Sequence, residues 1–145
     1  MSIRINSLFL AALATAALTA PTLAQSAEEK AARIPLEAYI TAHGTGDADV
    51  MATAFAPGAR MTFMSDTGLV IIPITEYVAR MRAGTKRPPD GKPRTIAMLD
   101  IHGTVAVARI DMDLGEFKFN DYMTLLKLPE GWKIVNKSFY RVAGK

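Results

Sequence analysis

The sequence predicts an α+β domain in which helices pack across one face of a curved antiparallel sheet. Apolar side chains first recur at helical spacing, and four strand-like segments then follow one another through the second half of the chain. Glycine-containing turns separate these segments, and turns this short favour hairpins over crossover connections. After an N-terminal segment is set aside, about 120 of the 145 residues remain, which suits one core.

Residues 1–24 are typical of a secretory signal peptide. Arg4 precedes an apolar run from Leu8 to Leu18, and Thr22-Leu23-Ala24 has small residues at the positions that signal peptidase accepts. The run is far shorter than the ~20 residues that span a bilayer, which favours cleavage after Ala24 over a retained membrane anchor. Residues 25–145 are therefore expected to form one periplasmic or secreted domain without stable membrane association.

Composition excludes several classes of protein. Cysteine is absent, so neither a disulfide framework nor a lipid-modified cysteine is expected. The chain has 17 basic and 14 acidic residues, and loss of Arg4 lowers the formal net charge from +3 to +2. A charge this close to balance predicts no nucleic-acid partner and no acidic-membrane partner.

Three helices are expected. The first covers residues 26–46 and ends in a glycine-rich turn; its apolar face holds Leu36, Tyr39, Ile40 and His43. The second covers residues 48–55, with Asp47 as its N-cap. The third covers residues 76–82 and begins after Thr75, which is also a preferred N-cap residue.

Six strands are expected. Two short ones, around Met61–Phe63 and Leu69–Ile72, flank a turn, and four long ones cover residues 95–102, 104–112, 117–127 and 132–142. Neither face of the long strands is purely polar. Period-two alternation, for example, places Ile96 and Met98 on the same side of their strand as Asp100 and His102. Both faces of the sheet need cover, which favours helices on one and a partner subunit on the other.

Four stretches of the chain carry a family resemblance. They are Tyr39-Ile40 with Gly46-Asp47, residues 55–59, residues 100–103, and residues 121–127 followed by 131–137. In order and spacing they resemble the nuclear transport factor 2-like superfamily, which includes ketosteroid isomerases, scytalone dehydratase and SnoaL-like cyclases. The closest likeness is to its putative lumazine-binding branch. The resemblance implies a cone-shaped sheet with three helices on its concave face, a pocket at the open end and a homodimer, but no single activity.

Several chemistries lack their motifs. Gly91-Lys92 has no glycine five residues earlier, as a phosphate-binding loop requires. The two histidines are isolated in sequence, which argues against a transition-metal site. Ser65 and Ser138 lie in no nucleophile elbow. We therefore predict neither a metal nor a cofactor.

Tyr39 and Asp121 form the leading candidate site. Tyr39 precedes Asp47 by eight residues, a spacing similar to that of the pocket tyrosine in ketosteroid isomerases, and Asp121 resembles their pocket acid. The resemblance implies that both groups donate hydrogen bonds to a developing enolate oxygen, with the acid protonated. Alternation places Asp121 beside Phe119 and Met123, on an apolar face where a carboxyl group must be paired or protonated.

Phe63 argues against this enzymatic interpretation. It occupies the position at which the isomerases keep their general base, and proton abstraction needs such a base. Asp100 and His102 are the candidates to supply one from elsewhere. The structural alternative pairs Asp121 with Lys137 or Arg109 and leaves Tyr39 as a core residue.

The favoured function is binding of a small, largely apolar or aromatic molecule by an exported homodimer. The candidate pocket residues are Tyr39, Phe63, Asp100, His102, Phe119, Asp121, Met123 and Lys137. An isomerase, dehydratase or cyclase that uses Tyr39 and Asp121 is the first alternative, and a non-catalytic protein-interaction module is the second. The basic stretch from Arg80 to Arg94 either covers an anionic ligand or is a solvated connector, which is the commoner case for such a run. It has no interleaved aromatic residues for single-stranded nucleic acid.

Overall fold

The computed structural model describes residues 20–144. The first 19 residues of the predicted signal segment lie outside that range. Helices and strands follow one another as α1 (Ala20–Thr45), α2 (Ala48–Ala54), β1 (Phe55–Ser65), β2 (Gly68–Pro73), α3 (Ile74–Arg82), β3 (Arg94–His102), β4 (Val105–Asp113), β5 (Phe117–Leu128) and β6 (Gly131–Ala143). Within the described range, no helix combines the length and the apolar character needed to cross a membrane.

The six strands form one open sheet in the order β2-β1-β6-β5-β4-β3. Four neighbouring pairs are antiparallel, as predicted. The fifth pair, β1 with β6, is parallel, with Met61 opposite Lys137. The expectation of an entirely antiparallel sheet is therefore wrong at this junction. The chain passes through α3 to the far edge of the sheet, and the meander from there brings its last strand beside β1 in the same direction.

The three predicted helices are present, with corrections at their boundaries. The first begins at Ala20, six residues before its predicted start at residue 26. Asp47 caps α2 as predicted, since its Oδ1 accepts hydrogen bonds from the backbone N–H groups of Asp49 and Val50. Thr75 does not cap α3: this helix starts at Ile74, two residues before its predicted start at residue 76, and it has no side-chain cap. The helix α2 also ends at Ala54, before the predicted end at residue 55.

The core lies between the helices and one face of the sheet, called here the helix-covered face. On β4 every second residue is buried, from Ala106 through Ala108 and Ile110 to Met112. Trp132 is also buried, and its Nε1 donates a hydrogen bond to Glu28 Oε2 at 3.1 Å. This bond attaches the start of β6 to the first helix.

The predicted face assignment fails on β3. A register irregularity between Ile96 and Met98 reverses the alternation, so that Ile96, Leu99 and Ile101 are half-buried while Met98, Asp100 and His102 are exposed. On β5 the prediction is confirmed, because Asp121 and Met123 are buried and Tyr122 between them is exposed. The exposed side of the sheet, opposite the helices, is called the outer face below.

Candidate functional site

Tyr39, Asp121 and Lys137 form a buried polar triad. The Tyr39 hydroxyl donates to Asp121 Oδ2 at 2.6 Å, and Lys137 Nζ lies 2.6 Å from the Tyr39 hydroxyl and 2.9 Å from the same carboxylate oxygen. Tyr39 and Asp121 are fully buried, and Lys137 is 5% exposed. The pairing of Asp121 with Lys137, expected under the structural alternative, is present. Arg109 instead pairs with Asp111 at 3.0 Å.

Local sequence explains why these three side chains meet. Tyr39 follows Leu36 by three residues on the buried side of α1, which places both against the sheet. Asp121 and Met123 share one side of β5, and Met123 lies opposite Lys137 in the register of β5 with β6. Asp121 and Lys137 are therefore diagonal neighbours on the helix-covered face.

Burial and the charge of Asp121 shift the pKa values of its two partners in the triad. Burial, and then the charge of Asp121, raise the pKa of Tyr39 well above its usual value, so its phenol stays neutral and donates. Burial lowers the pKa of Lys137. The negative charge of Asp121 opposes that shift, and so does the hydrogen bond between the two side chains. Asp121 accepts from both partners through Oδ2, while its buried Oδ1 has no hydrogen-bond partner among the described residues. Tyr39 and Asp121 are therefore bonded to each other and to Lys137. They are not the two free donors that the enzymatic interpretation expects.

A cavity of about 530 Å³ lies next to the triad. Its apolar wall consists of Met61, Phe63, Ile72, Tyr77, Met81 and Phe139, and its polar wall includes His43, Thr85, Arg80 and Arg87. Lys137 Nζ is 4.8 Å from the centroid of the Phe139 ring, and the Tyr39 ring is 5.8 Å from that of His43. Phe139 and His43 therefore separate the triad from this space, called here the helix-side cavity.

Two neutral polar groups line the helix-side cavity. Burial, with lesser effects of Lys137 and Arg94, lowers the pKa of His43 to about 4. Arg94 donates to His43 Nδ1 at 3.3 Å, which assigns the imidazole proton to Nε2. Burial and the nearby Asp121 charge raise the pKa of Tyr77 to about 12. At neutral pH both side chains are uncharged and able to donate hydrogen bonds.

A second, larger pocket of about 850 Å³ lies beyond the Phe63 and Phe139 rings, which are 4.5 Å apart. Phe119 lines it, as do Met64 and Tyr140, which are 72% and 68% exposed. We favour the helix-side cavity as the candidate site, although its volume is the smaller of the two. Residues of α1, α3, β1, β2 and β6 line it, and it adjoins the buried charges of Asp121 and Lys137.

The structure brings together only part of the predicted pocket. Phe63 lines both spaces, and Phe119 lines the larger pocket. Tyr39, Asp121 and Lys137 lie together behind the cavity wall, and Met123 is buried in the core beside them. Asp100 and His102 are exposed on the outer face of β3 and do not join the other candidates.

Several cavity residues were not identified from the sequence. Tyr77 and Met81 are four residues apart on a helix that the sequence predicted, so helical spacing was an available signal. Phe139 follows Lys137 by two residues on the same strand, and alternation would have placed it beside Lys137. The approach of Arg87 to His43 carries no local signal, because it joins residues 44 positions apart.

Comparison with known proteins decides the family. A family model described as "Putative lumazine-binding" matches residues 27–140. The chain belongs to this family. The match extends from the middle of α1 to the end of the helix-side cavity wall on β6, and it confirms the resemblance seen in the sequence. No curated protein matches the chain.

Solved structures show the fold of this lumazine-binding family member. An NTF2-like protein of unknown function from Shewanella baltica is 28% identical, with 82% of this chain and 97% of that chain covered and a TM-score of 0.73. A second, from Methylobacillus flagellatus, is 27% identical over 87% of this chain and 96% of that chain, with a TM-score of 0.63. A ketosteroid isomerase-like protein from Erwinia carotovora shares the fold at 12% identity, with coverage of 80% and 97% and a TM-score of 0.62. The α+β, nuclear transport factor 2-like fold is confirmed.

Proposed function

We propose that this protein binds a small, largely apolar or aromatic molecule in the helix-side cavity. The observation that supports this most strongly is the wall of that cavity, where five apolar side chains lie with two uncharged donors, His43 and Tyr77. Apolar walls with few placed polar groups are the usual design of small-molecule sites. The family assignment supports the same class of function.

The geometry supports binding better than catalysis. An isomerase of the kind considered above needs Tyr39 and Asp121 as donors facing the substrate, together with a general base. Here the Tyr39 hydroxyl donates to Asp121, which accepts from Lys137 as well. The cavity wall contains Phe63 and no carboxylate among its described lining residues.

In this proposal the triad lies behind the cavity wall and supports the side chains that form it. Its three side chains satisfy one another's charges, so that Phe139 and His43 are held in place against a rigid polar support. The ligand then contacts mainly the aromatic and methionine side chains in front of the triad.

We further propose that the protein is exported after cleavage behind Ala24 and acts as a homodimer. Small residues before position 25 support the first part. Exposed apolar side chains on the outer face support the second, among them Val105, Val107 and Tyr122, which are 43%, 41% and 48% exposed.

Filling the cavity tests the proposed binding site. Met81→Trp places a larger side chain on the wall contributed by α3, and we expect at least tenfold weaker binding of the neutral aromatic probe 2-naphthamide because the space is occupied. Isothermal titration calorimetry on residues 25–145 measures the affinity, and circular dichroism checks that the variant is folded.

Ala79→Trp is the matched control, because residue 79 lies on the exposed side of the same helix. This control is expected to bind the probe as the parent protein does. Equal affinity of Met81→Trp and the parent would contradict the assignment of the cavity.

A further inference from the structure

The basic stretch between residues 80 and 94 is mostly neutralised by its own surroundings. Four of its six cations pair with carboxylates, and a fifth, Lys92, donates to the Leu114 carbonyl at 2.7 Å. The four pairs are Arg80 with Glu76, Arg82 with Asp49, Lys86 with Asp47 and Arg94 with Asp90. Most of this stretch is therefore a solvated, internally paired connector.

Arg87 is the exception. Its Nη2 donates to the His43 carbonyl at 3.2 Å, and no carboxylate pairs with it among the described residues. Arg87 also lines the helix-side cavity, as does Thr85. Four further N–H donors of this guanidinium have no assigned acceptor in the described part of the chain.

The position of Arg87 is built into the fold. Its backbone N–H donates to the Thr45 carbonyl at 2.8 Å, so the loop is attached to the end of α1. Gly46 has φ +70, and a Cβ at that residue would lie 3.1 Å from Arg87 Nη1. The glycine thus serves both the left-handed turn after the helix and the close approach of the guanidinium.

Positive charge exceeds negative charge around this cavity. No aspartate or glutamate is among its described lining residues, and His43 and Tyr77 are uncharged at neutral pH. Asp90, whose pKa is lowered in part by the charge of Arg87, is already held by two hydrogen bonds from Arg94. The cavity mouth therefore presents a positive charge that the protein itself does not balance.

We infer that the molecule bound in the helix-side cavity carries an anionic group, of carboxylate type, which pairs with Arg87 at the mouth. This inference rests on the proposed function, because it names the chemistry of the ligand for the same site. The planar guanidinium matches a carboxylate with two parallel hydrogen bonds, and Arg80 adds a second, partly neutralised positive charge nearby. The apolar wall holds the remainder of the ligand.

A pair of isosteric probes separates this inference from the proposed function. 2-Naphthoate and 2-naphthamide have the same ring system and differ in one charge. Calorimetric titration of residues 25–145 at pH 7 is expected to give about tenfold or tighter binding of the naphthoate, with the advantage reduced between 0.05 and 0.5 M NaCl.

Arg87→Gln is expected to remove the advantage of the naphthoate and leave the affinity for the naphthamide unchanged. Lys86→Gln is the matched control, since this neighbour is paired with Asp47 and does not line the cavity. It is expected to change neither affinity.

Each outcome bears on one of the two proposals. If the naphthamide binds and the naphthoate binds no tighter, the anionic ligand is disproved and the cavity assignment stands. If Arg87→Gln weakens both probes equally, Arg87 only shapes the wall and the inference is wrong. If neither probe binds and Met81→Trp changes nothing, the proposed function fails and the inference fails with it.

Discussion

At the scale of single residues, Lys137 determines whether Asp121 is tolerated in the core. Its ammonium group is the positive partner of a carboxylate that has no exposure to water. The sequence indicated this pairing as the structural alternative, because an acid on an apolar strand face requires a partner. The sequence alone did not distinguish Lys137 from Arg109 as the partner of Asp121. The register of β6 against β5 places Lys137 beside Asp121.

Lys137→Met is expected to destabilise the protein by roughly 3–5 kcal/mol, because it leaves the Asp121 charge buried without its partner. The double variant Lys137→Met with Asp121→Asn removes both charges and should lose less than the single variant. Urea unfolding followed by circular dichroism measures both. A single variant as stable as the parent would refute the role of Lys137 as the essential counter-charge.

His43 makes stability depend on pH. Burial lowers its pKa from 6.5 to about 4, so below pH 6.5 the unfolded chain binds a proton that the folded chain does not. The contribution is complete above pH 6.5 and is lost progressively as the pH falls towards 4. Its full size is on the order of 3 kcal/mol. Urea unfolding between pH 4 and 7 measures this slope.

The two histidines allow a matched comparison for this effect. His43→Gln is expected to flatten the slope between pH 4 and 6.5, whereas His102→Gln changes an exposed residue and should leave it as in the parent. Equal slopes in the two variants would show that another group is responsible. An NMR titration of the His43 ring should give a midpoint near pH 4.

At the scale of helices and strands, local patterns predicted the type and order of the elements. They did not predict the register of one strand or the start of one helix. Hydrophobic periodicity and turn residues located three helices and six strands, and these are the elements of the structure. The errors share a cause. The irregularity near Met98 reversed one strand face, and the buried Ile74 extended α3 beyond its predicted cap. Both depend on packing against distant residues.

At the scale of the whole molecule, the outer face of the sheet is the region that the helices leave uncovered. Met98, Val105, Val107 and Tyr122 are exposed there, all between 38% and 48%. The sequence anticipated that this face needs a partner, because neither side of its strands is purely polar. The proposed homodimer would bury it through a shared interface.

Native mass spectrometry of the protein from an exporting host tests export and assembly together. We expect a dimer of chains that begin at Gln25. Tyr122→Glu is expected to yield monomers, because it places a charge in the proposed interface. Ile34→Glu, a change of an exposed residue on α1, should remain dimeric. A monomeric parent protein, or a dimer that survives Tyr122→Glu, would contradict this interface.

The family and its α+β class were determined by the sequence itself, since they depend on periodicity, turn residues and motif order along the chain. Tyr39 and Phe63 were also identified there through the family resemblance, and Asp121 both through it and because an acid on an apolar strand face conflicts with the local pattern. Only the tertiary structure decided which residues enclose a cavity. Arg87 approaches His43 and Lys137 approaches Tyr39 across 44 and 98 positions of sequence, and such contacts follow from the crossover through α3 and from strand register. Neither leaves a signal in the residues on either side.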